Sequence, residues 1–152
     1  MKHFAEVTAK ELGTDFSGTP GAGAAGGLGF ALLSYLGAEL LPGIDLILNA
    51  VELEKEVKDA DIVITGEGRL DYQTAMGKAP IGVAGLGRKY GARVLAFAGS
   101  VTKEAKACNE AGIDAFFPIV RGVTTLAEAM DPQNARDNMA DTVEQVFRLL
   151  AV

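Results

Sequence analysis

A single cysteine, Cys108, and a single histidine, His3, stand in a chain of 152 residues. One cysteine can form no internal disulfide, and one residue of each kind cannot assemble a zinc site or a Ser-His-Asp triad within the chain. Cys108 falls in a helix-like stretch and reads as a small packing residue rather than a reactive thiol. Its solitude fits a reducing compartment, so a cytoplasmic location is the expectation. Any metal is then a hard ion held by carboxylate and phosphate oxygens. No apolar run approaches the roughly 20 residues of a membrane span. Met1-Lys2-His3-Phe4 leads into an amphipathic segment with Glu6, Lys10 and Glu11 instead of a leader, so a soluble protein with no membrane partner is expected. A basic block is also missing: Lys+Arg number 14 against 20 Asp+Glu, for a net charge of −6. That argues against a nucleic-acid partner, which needs a clustered positive face. It leaves phosphate chemistry open, since an acidic protein can hold an anion in a locally positive pocket.

What the chain does have is an orderly second half. Ile62–Thr65, Val94–Ala98 and Ala115–Val120 are short apolar runs without alternation, as expected of parallel strands buried on both faces. Helical stretches intervene at about 80–90 and 102–111. Thr125-Leu126-Ala127-Glu128 is a capping box. Asp131-Pro132 offers an N-cap and an early proline for a long last helix, in which Ala135, Met139, Val143, Val146, Phe147 and Leu150 keep helical spacing. Strand–helix alternation predicts a three-layer α/β/α fold around a parallel sheet. Three strands make a thin sheet with exposed outer edges, so the segment reads as part of a larger sheet. Such an edge offers a route to homo-oligomers. Upstream, Phe4–Leu12 predicts a short helix stopped by Gly13, and Phe30–Leu36 a second. Asp45 caps a third through Val51, and Glu52–Ala60 reads as a solvated helix with a Glu54–Lys58 pair.

Gly21-Ala22-Gly23-Ala24-Ala25-Gly26 matches the GxGxxG dinucleotide fingerprint by letter. The context does not fit. No strand precedes it, since Ser17-Gly18-Thr19-Pro20 is a loop, and no acidic residue ends a following strand about 20 residues on. Each glycine inside a helix costs about 1 kcal/mol relative to alanine. Several in one short run therefore imply close backbone approach, either to a neighbouring helix or to an anion held by bare amides.

The richest stretch is Thr65-Gly-Glu-Gly-Arg-Leu-Asp-Tyr-Gln-Thr-Ala-Met-Gly-Lys-Ala-Pro80. It follows the run Ile62-Val63-Ile64 and precedes a helix, which is where ligands bind in open α/β sheets. A Walker A motif is absent, because Gly77-Lys78 lacks both the following Ser/Thr and the earlier glycine. The charges still suit an anion. Lys78 stands at a helix start, where a cation is unfavourable unless a negative ligand lies beside it. Arg69 can add a bidentate clamp. Asp71 and Glu67 can take a proton from a substrate hydroxyl or hold Mg2+. Against this stands an internal ion network, Arg69 with Glu67 or Asp71, that merely stiffens a loop. Gly99-Ser100 ends the next strand and can bring amides to the same crevice, and Arg121-Gly122 does so more weakly.

Taken together these residues resemble the C-terminal part of the bacterial type I (2-phosphoglycerate-forming) glycerate kinase family. Pro20 to Gly29 looks like its glycine-rich motif. Thr65–Asp71, Gln73-Thr74 and Gly77–Pro80 look like its main C-terminal signature, and Ala98-Gly99-Ser100 and Gly112–Ala115 continue the match. The resemblance implies transfer of the ATP γ-phosphoryl group to D-glycerate with Mg2+, in a cleft between two α/β domains. Loop position and charge then point to catalytic roles for Asp71, Glu67, Arg69 and Lys78, with Asp71 as base or Mg2+-associated carboxylate and Glu67 second. They point likewise to substrate or phosphate contacts from Gly21, Gly23, Gly26, Gly27, Gly66, Gly68, Gln73, Thr74, Gly77 and Ser100. Residues 1–57 then form a glycine-rich helical segment ending the family's second domain, and 58–152 a Rossmann-like α/β segment. The departures are large. The family's N-terminal motifs of the type Asp-Ser-Phe-Lys-Gly and Asp-Gly-Gly-Glu-Gly-Thr are missing, and position 72 is Tyr where a smaller residue is more usual. A fragment or truncated form is the expectation. The alternative is a catalytically silent α/β domain that binds an anion or nucleotide or mediates association.

Overall fold

The computed structural model describes residues 1–151. It divides into two compact units, Met1–Leu46 and Ile47–Val152. The division lies earlier in the chain than a boundary at residue 57, and packing explains why. Val57 is buried in the core of the second unit and Leu53 packs against it.

In the first unit, α1 (Lys2–Leu12) ends where Gly13 turns left-handed at φ 74° and donates its N–H to the Ala9 carbonyl. A second helix, α2 (Ala24–Leu36), stops in the same way at Gly37, φ 60°. Ala5, Ala22 and Phe30 form the small core, with Phe16 and Leu33 packed on it. The Phe4 and Phe30 rings meet edge-on with centroids 5.7 Å apart. Buried Thr8 shares a 2.9 Å hydrogen bond with the Tyr35 hydroxyl, so its polar atom is satisfied. Helix α3 (Gly43–Ala50) spans the boundary between the units.

The second unit continues with α4 (Leu53–Val57), β1 (Ile62–Leu70), α5 (Ala79–Lys89), β2 (Arg93–Val101), α6 (Ala107–Glu110), β3 (Ala115–Pro118), α7 (Leu126–Ala129) and α8 (Pro132–Leu150). Its sheet is parallel, in the order β1-β2-β3. Val94, Ala96 and Ala98 of β2 enter one core with Val57, Ala84, Cys108 and Ile113. Leu95 and Phe97 enter the other, with Val146 of α8. Both faces of β2 are thus covered, which is why its sequence shows no apolar–polar alternation. The expected three-layer α/β/α arrangement is present.

Local signals at the C-terminal end act as the sequence predicts. The Thr125–Glu128 capping box is complete. The Asp131 carboxylate accepts the Gln133 and Asn134 amides at 3.0 and 2.9 Å, a cap that typically contributes about 1 kcal/mol.

Several expectations change: β3 stops at Pro118 rather than Val120, and the solvated helix of 52–60 is only Leu53–Val57, with Val57 buried. β1 runs five residues past Thr65, because its far end pairs with β2 through Arg69–Ser100 and Leu70–Val101. The 102–111 helix is a 3-10 turn, Lys103–Lys106, followed by the single turn of α6. Glu54 does not pair with Lys58; its carboxylate accepts from Lys89 and from the Tyr90 hydroxyl, the latter at 2.6 Å, and ties α4 to α5. Among the described residues, no helix is long and apolar enough to cross a membrane.

Candidate active site

The extension of β1 moves Glu67 and Arg69 from a loop onto a strand. Glu67 is the register partner of Ala98, and Arg69 that of Ser100. Where the two strands run together their backbones nearly touch. A Cβ on Gly66 would lie 2.1 Å from the Phe97 carbonyl oxygen, and one on Gly99 would lie 2.7 Å from that of Gly68. Gly66 therefore serves close strand packing. Gly68 has open space at the same test and sits exposed between the two charged residues.

After Leu70 the chain turns through Asp71-Tyr72-Gln73 into a 3-10 turn, Thr74–Met76. Asp71 is half-buried, and its Oδ1 accepts the Gln73 amide at 2.9 Å. The Asp71 amide donates to the Thr74 hydroxyl at 3.2 Å. That hydroxyl donates in turn to the Glu67 carboxylate. Thr74 is fully buried, so its side chain supports the loop from below. Gly77, at φ 101°, closes the turn in a conformation that favours glycine. Lys78 follows as the extended N-cap of α5, with Pro80 in the first helical turn. Tyr72, Gln73, Gly77, Lys78 and Ser100 are exposed.

No ion pair joins Arg69 to Glu67 or Asp71 among the described residues, and Lys78 has none either. The stiffening network that would make these charges purely structural is not what the structure displays. Two cations and two carboxylates instead stand on one strand end and the adjoining helix start. Beneath them, burial pushes the Cys108 thiol above its ordinary range, and the Glu67 and Asp71 carboxylates add to the effect. This agrees with Cys108 as an inert packing residue. Its Sγ lies 3.8 Å from the Asp71 carbonyl, to which it donates weakly.

Comparison with known proteins settles the kinship of this arrangement. A sequence profile described as "Glycerate kinase family" matches residues 1–151. The chain belongs to the glycerate kinase family. It is 48% identical to the glycerate kinase of Bacillus subtilis strain 168 over 96% of its own length and 38% of the relative's. It is 43% identical to the glycerate 2-kinase of Escherichia coli K12, over 100% of this chain and 39% of that protein. A crystal structure assigned to glycerate kinase 2 of Salmonella typhimurium LT2 superposes with a TM-score of 0.72 at 39% identity, covering 99% of this chain and 37% of that one. The chain thus spans well under half the length of these glycerate kinases.

The glycine-rich motif of this family member lies in the first unit and is described by itself. Gly21 (φ 87°), Ala25 (φ 50°), Gly26 (φ 67°) and Gly27 (φ 99°) are all left-handed, so the regular part of α2 starts only after them. A Cβ on Gly29 would lie 2.4 Å from the Gly21 carbonyl oxygen. Part of the close approach implied by so many glycines is therefore the segment folding onto itself. Gly21, Gly23 and Gly26 are exposed, whereas Gly27 is buried against the Met1 side chain.

One charged residue was not among the sequence candidates. The Glu104 carboxylate is held below its ordinary range, first by its own backbone amide, with the Arg69 cation adding to the effect and Asp71 opposing it. Glu104 follows the β2 end that carries Ser100, and that strand end was the available signal. Among the described residues no three His, Cys, Asp or Glu side chains converge to hold a metal.

Proposed function

We propose that this chain carries part of the phosphoryl-transfer site of a kinase that moves the ATP γ-phosphoryl group to a hydroxyl of D-glycerate. The observation that carries the reading is the family match across residues 1–151, shared with relatives named as glycerate kinases. The geometry supports the following roles for the residues. Asp71 accepts the proton of the attacking hydroxyl, with Glu67 beside it. Arg69 and Lys78 neutralise phosphate or the substrate carboxylate, aided by the positive end of the α5 dipole. Exposed Gly68, Gln73, Gly77 and Ser100 are left to contact phosphate or substrate, and in the first unit Gly21, Gly23 and Gly26 offer exposed backbone of their own, whereas Gly27, Gly66 and Thr74, engaged by their own neighbours, support the fold around a ligand and do not touch it. Little covalent chemistry is asked of the protein in such a transfer; positioning and charge stabilisation do most of it. Alternatively Asp71 would be the carboxylate that holds a Mg2+ ion bound with the nucleotide, which would help to neutralise the transferring group, and the proton would then fall to Glu67. A cytoplasmic location follows from these substrates.

A second reading is favoured by one number, the 38% of the Bacillus subtilis enzyme that the chain spans. On that reading the isolated chain binds an anion or nucleotide, or associates through its open sheet edge, without turnover. A kinase assay with D-glycerate and Mg-ATP on this chain, beside calorimetry with each ligand, separates the two. Turnover by the chain alone removes the silent reading; binding without turnover supports it. In a complete enzyme in which this chain replaces the matching segment of the Bacillus subtilis protein, Asp71→Asn should lower kcat by about 10²–10⁴-fold. Near-normal turnover of that variant would remove Asp71 from the chemistry.

A further inference from the structure

We propose that Thr74 is the positioning residue of this site. Through its buried hydroxyl it fixes Glu67 and Asp71 in one mutual geometry, and through its carbonyl it fixes Lys78 beside them. The inference rests on the proposed function in taking those three residues as the working ones, but the pin itself stands on geometry.

Thr74 is fully buried, yet none of its polar atoms is idle. A hydroxyl has one proton to donate and lone pairs with which to accept. Here the proton goes to the Glu67 carboxylate and a lone pair receives the Asp71 amide, 3.2 Å away. The Thr74 amide donates to the Asp71 carbonyl at 3.2 Å, so the two residues hold each other in both directions. The Thr74 carbonyl receives the amides of Gly77 and Lys78, each at 3.3 Å. One side chain and its own peptide groups thereby connect a residue of β1, a residue of the turn and the N-cap of α5.

The chemistry explains why a hydroxyl, and not merely a filler, is required. Valine would occupy nearly the same volume but leave the Asp71 amide and one Glu67 oxygen without a partner. Serine would keep both hydrogen bonds and lose only a methyl group. Because Thr74 is enclosed, it acts on a bound ligand only through Glu67, Asp71 and Lys78, so it is a positioning residue and not a contact.

The experiment compares Thr74→Val and Thr74→Ser with the unaltered chain. Amide exchange is read at Asp71, with Leu95 and Phe97 of β2 as a control for folding, and binding of Mg-ATP and of D-glycerate is measured by calorimetry. Thr74→Val should speed exchange at Asp71 and weaken binding, each by about ten-fold, the loss of one hydrogen-bond partner; Thr74→Ser should stay within about two-fold of the original in both. Unchanged exchange at Asp71 in the valine variant overturns the pin. Faster exchange with unaltered binding overturns its positioning role. If the valine variant loses protection across β2, the serine variant decides: retained Asp71 protection and binding support the proposal, and their loss with β2 intact overturns it in favour of simple packing. An unaltered chain that binds neither ligand counts against the proposed function of the isolated chain, while the exchange pattern still decides the pin.

Discussion

The two glycine-bearing segments of this chain, residues 17–29 in the first unit and 65–80 in the second, are held in different ways. The first is secured chiefly by backbone, with one side-chain bond at its start, where the Asp15 carboxylate accepts the Ser17 amide at 2.8 Å. Ala22, Ala24 and Phe30 donate their amides to the Thr19, Gly21 and Ala22 carbonyls at 3.0, 2.9 and 2.8 Å, around a run of left-handed residues. The second is secured by side chains, with the Thr74 hydroxyl joining Glu67 to Asp71 and the Asp71 carboxylate holding the Gln73 amide. The difference teaches where each segment is vulnerable. A backbone-held loop fails when a Cβ is added or a φ is forbidden, whereas a side-chain-held loop fails when one polar atom is removed.

The division is not absolute, and the largest expected effect tests where it breaks. Gly66→Ala puts a Cβ 2.1 Å from the Phe97 carbonyl oxygen, which is backbone and cannot swing aside. It should destabilise the second unit by about 3 kcal/mol, the upper range for overpacking, read as a lower urea midpoint by circular dichroism. An unchanged midpoint would mean that β1 and β2 can separate there without loss, and the second segment would then depend on side chains alone.

A smaller effect, of opposite sign, sharpens the comparison in the first segment. Ala25 is held left-handed at φ 50° immediately before Gly26 and Gly27, which accept that conformation freely. Ala25→Gly should raise stability by about 0.5–1 kcal/mol, the relief of strain outweighing the added freedom of the unfolded chain. A thermal melt of the variant checks it, and a lower Tm would show that the alanine methyl has packing value that outweighs its strain.

The smallest effect lies outside both segments and serves as their control. Lys89, then the Tyr90 hydroxyl, hold the Glu54 carboxylate below its ordinary range. A lowered carboxylate stabilises the fold above its unfolded value of about 4.3 and loses that contribution as pH falls through the lower folded value. Glu54→Gln should therefore flatten a weak stability–pH slope below about pH 4.3 while leaving Asp71 amide exchange untouched. A changed rate at Asp71 would mean that the α4–α5 tie reaches the charged segment after all.

Much of this organisation was written in short-range signals. The Gly13 stop, the Thr125–Glu128 box and the Asp131-Pro132 start are decided within four residues of themselves, and each is where the sequence indicates. The apolar runs of β1 to β3 were legible because burial on both faces requires them. What stayed hidden depends on distant partners. Gly66 to Leu70 has the composition of a loop and becomes strand only because β2, some thirty residues later, supplies the ladder. The Arg69 cation also helps to hold the Glu104 carboxylate below its ordinary range, a relation that neither local sequence encodes. Within the candidate site, charge type and strand-end location were readable from Glu67, Arg69, Asp71 and Lys78 themselves. The burial of Thr74 was not, since a threonine between Gln73 and Ala75 in a polar loop carries no mark of being inside.

β1 is an outermost strand of the sheet, and it is also the strand that carries Glu67 and Arg69. Its free edge presents unpaired peptide groups to any extended segment. A strand docking there becomes the immediate lateral neighbour of both charged residues. Closing the sheet and reshaping the charged surface are then a single event. For protein engineering this makes the edge an input terminal: a peptide built to pair with β1 would address Glu67 and Arg69 without having to imitate any substrate.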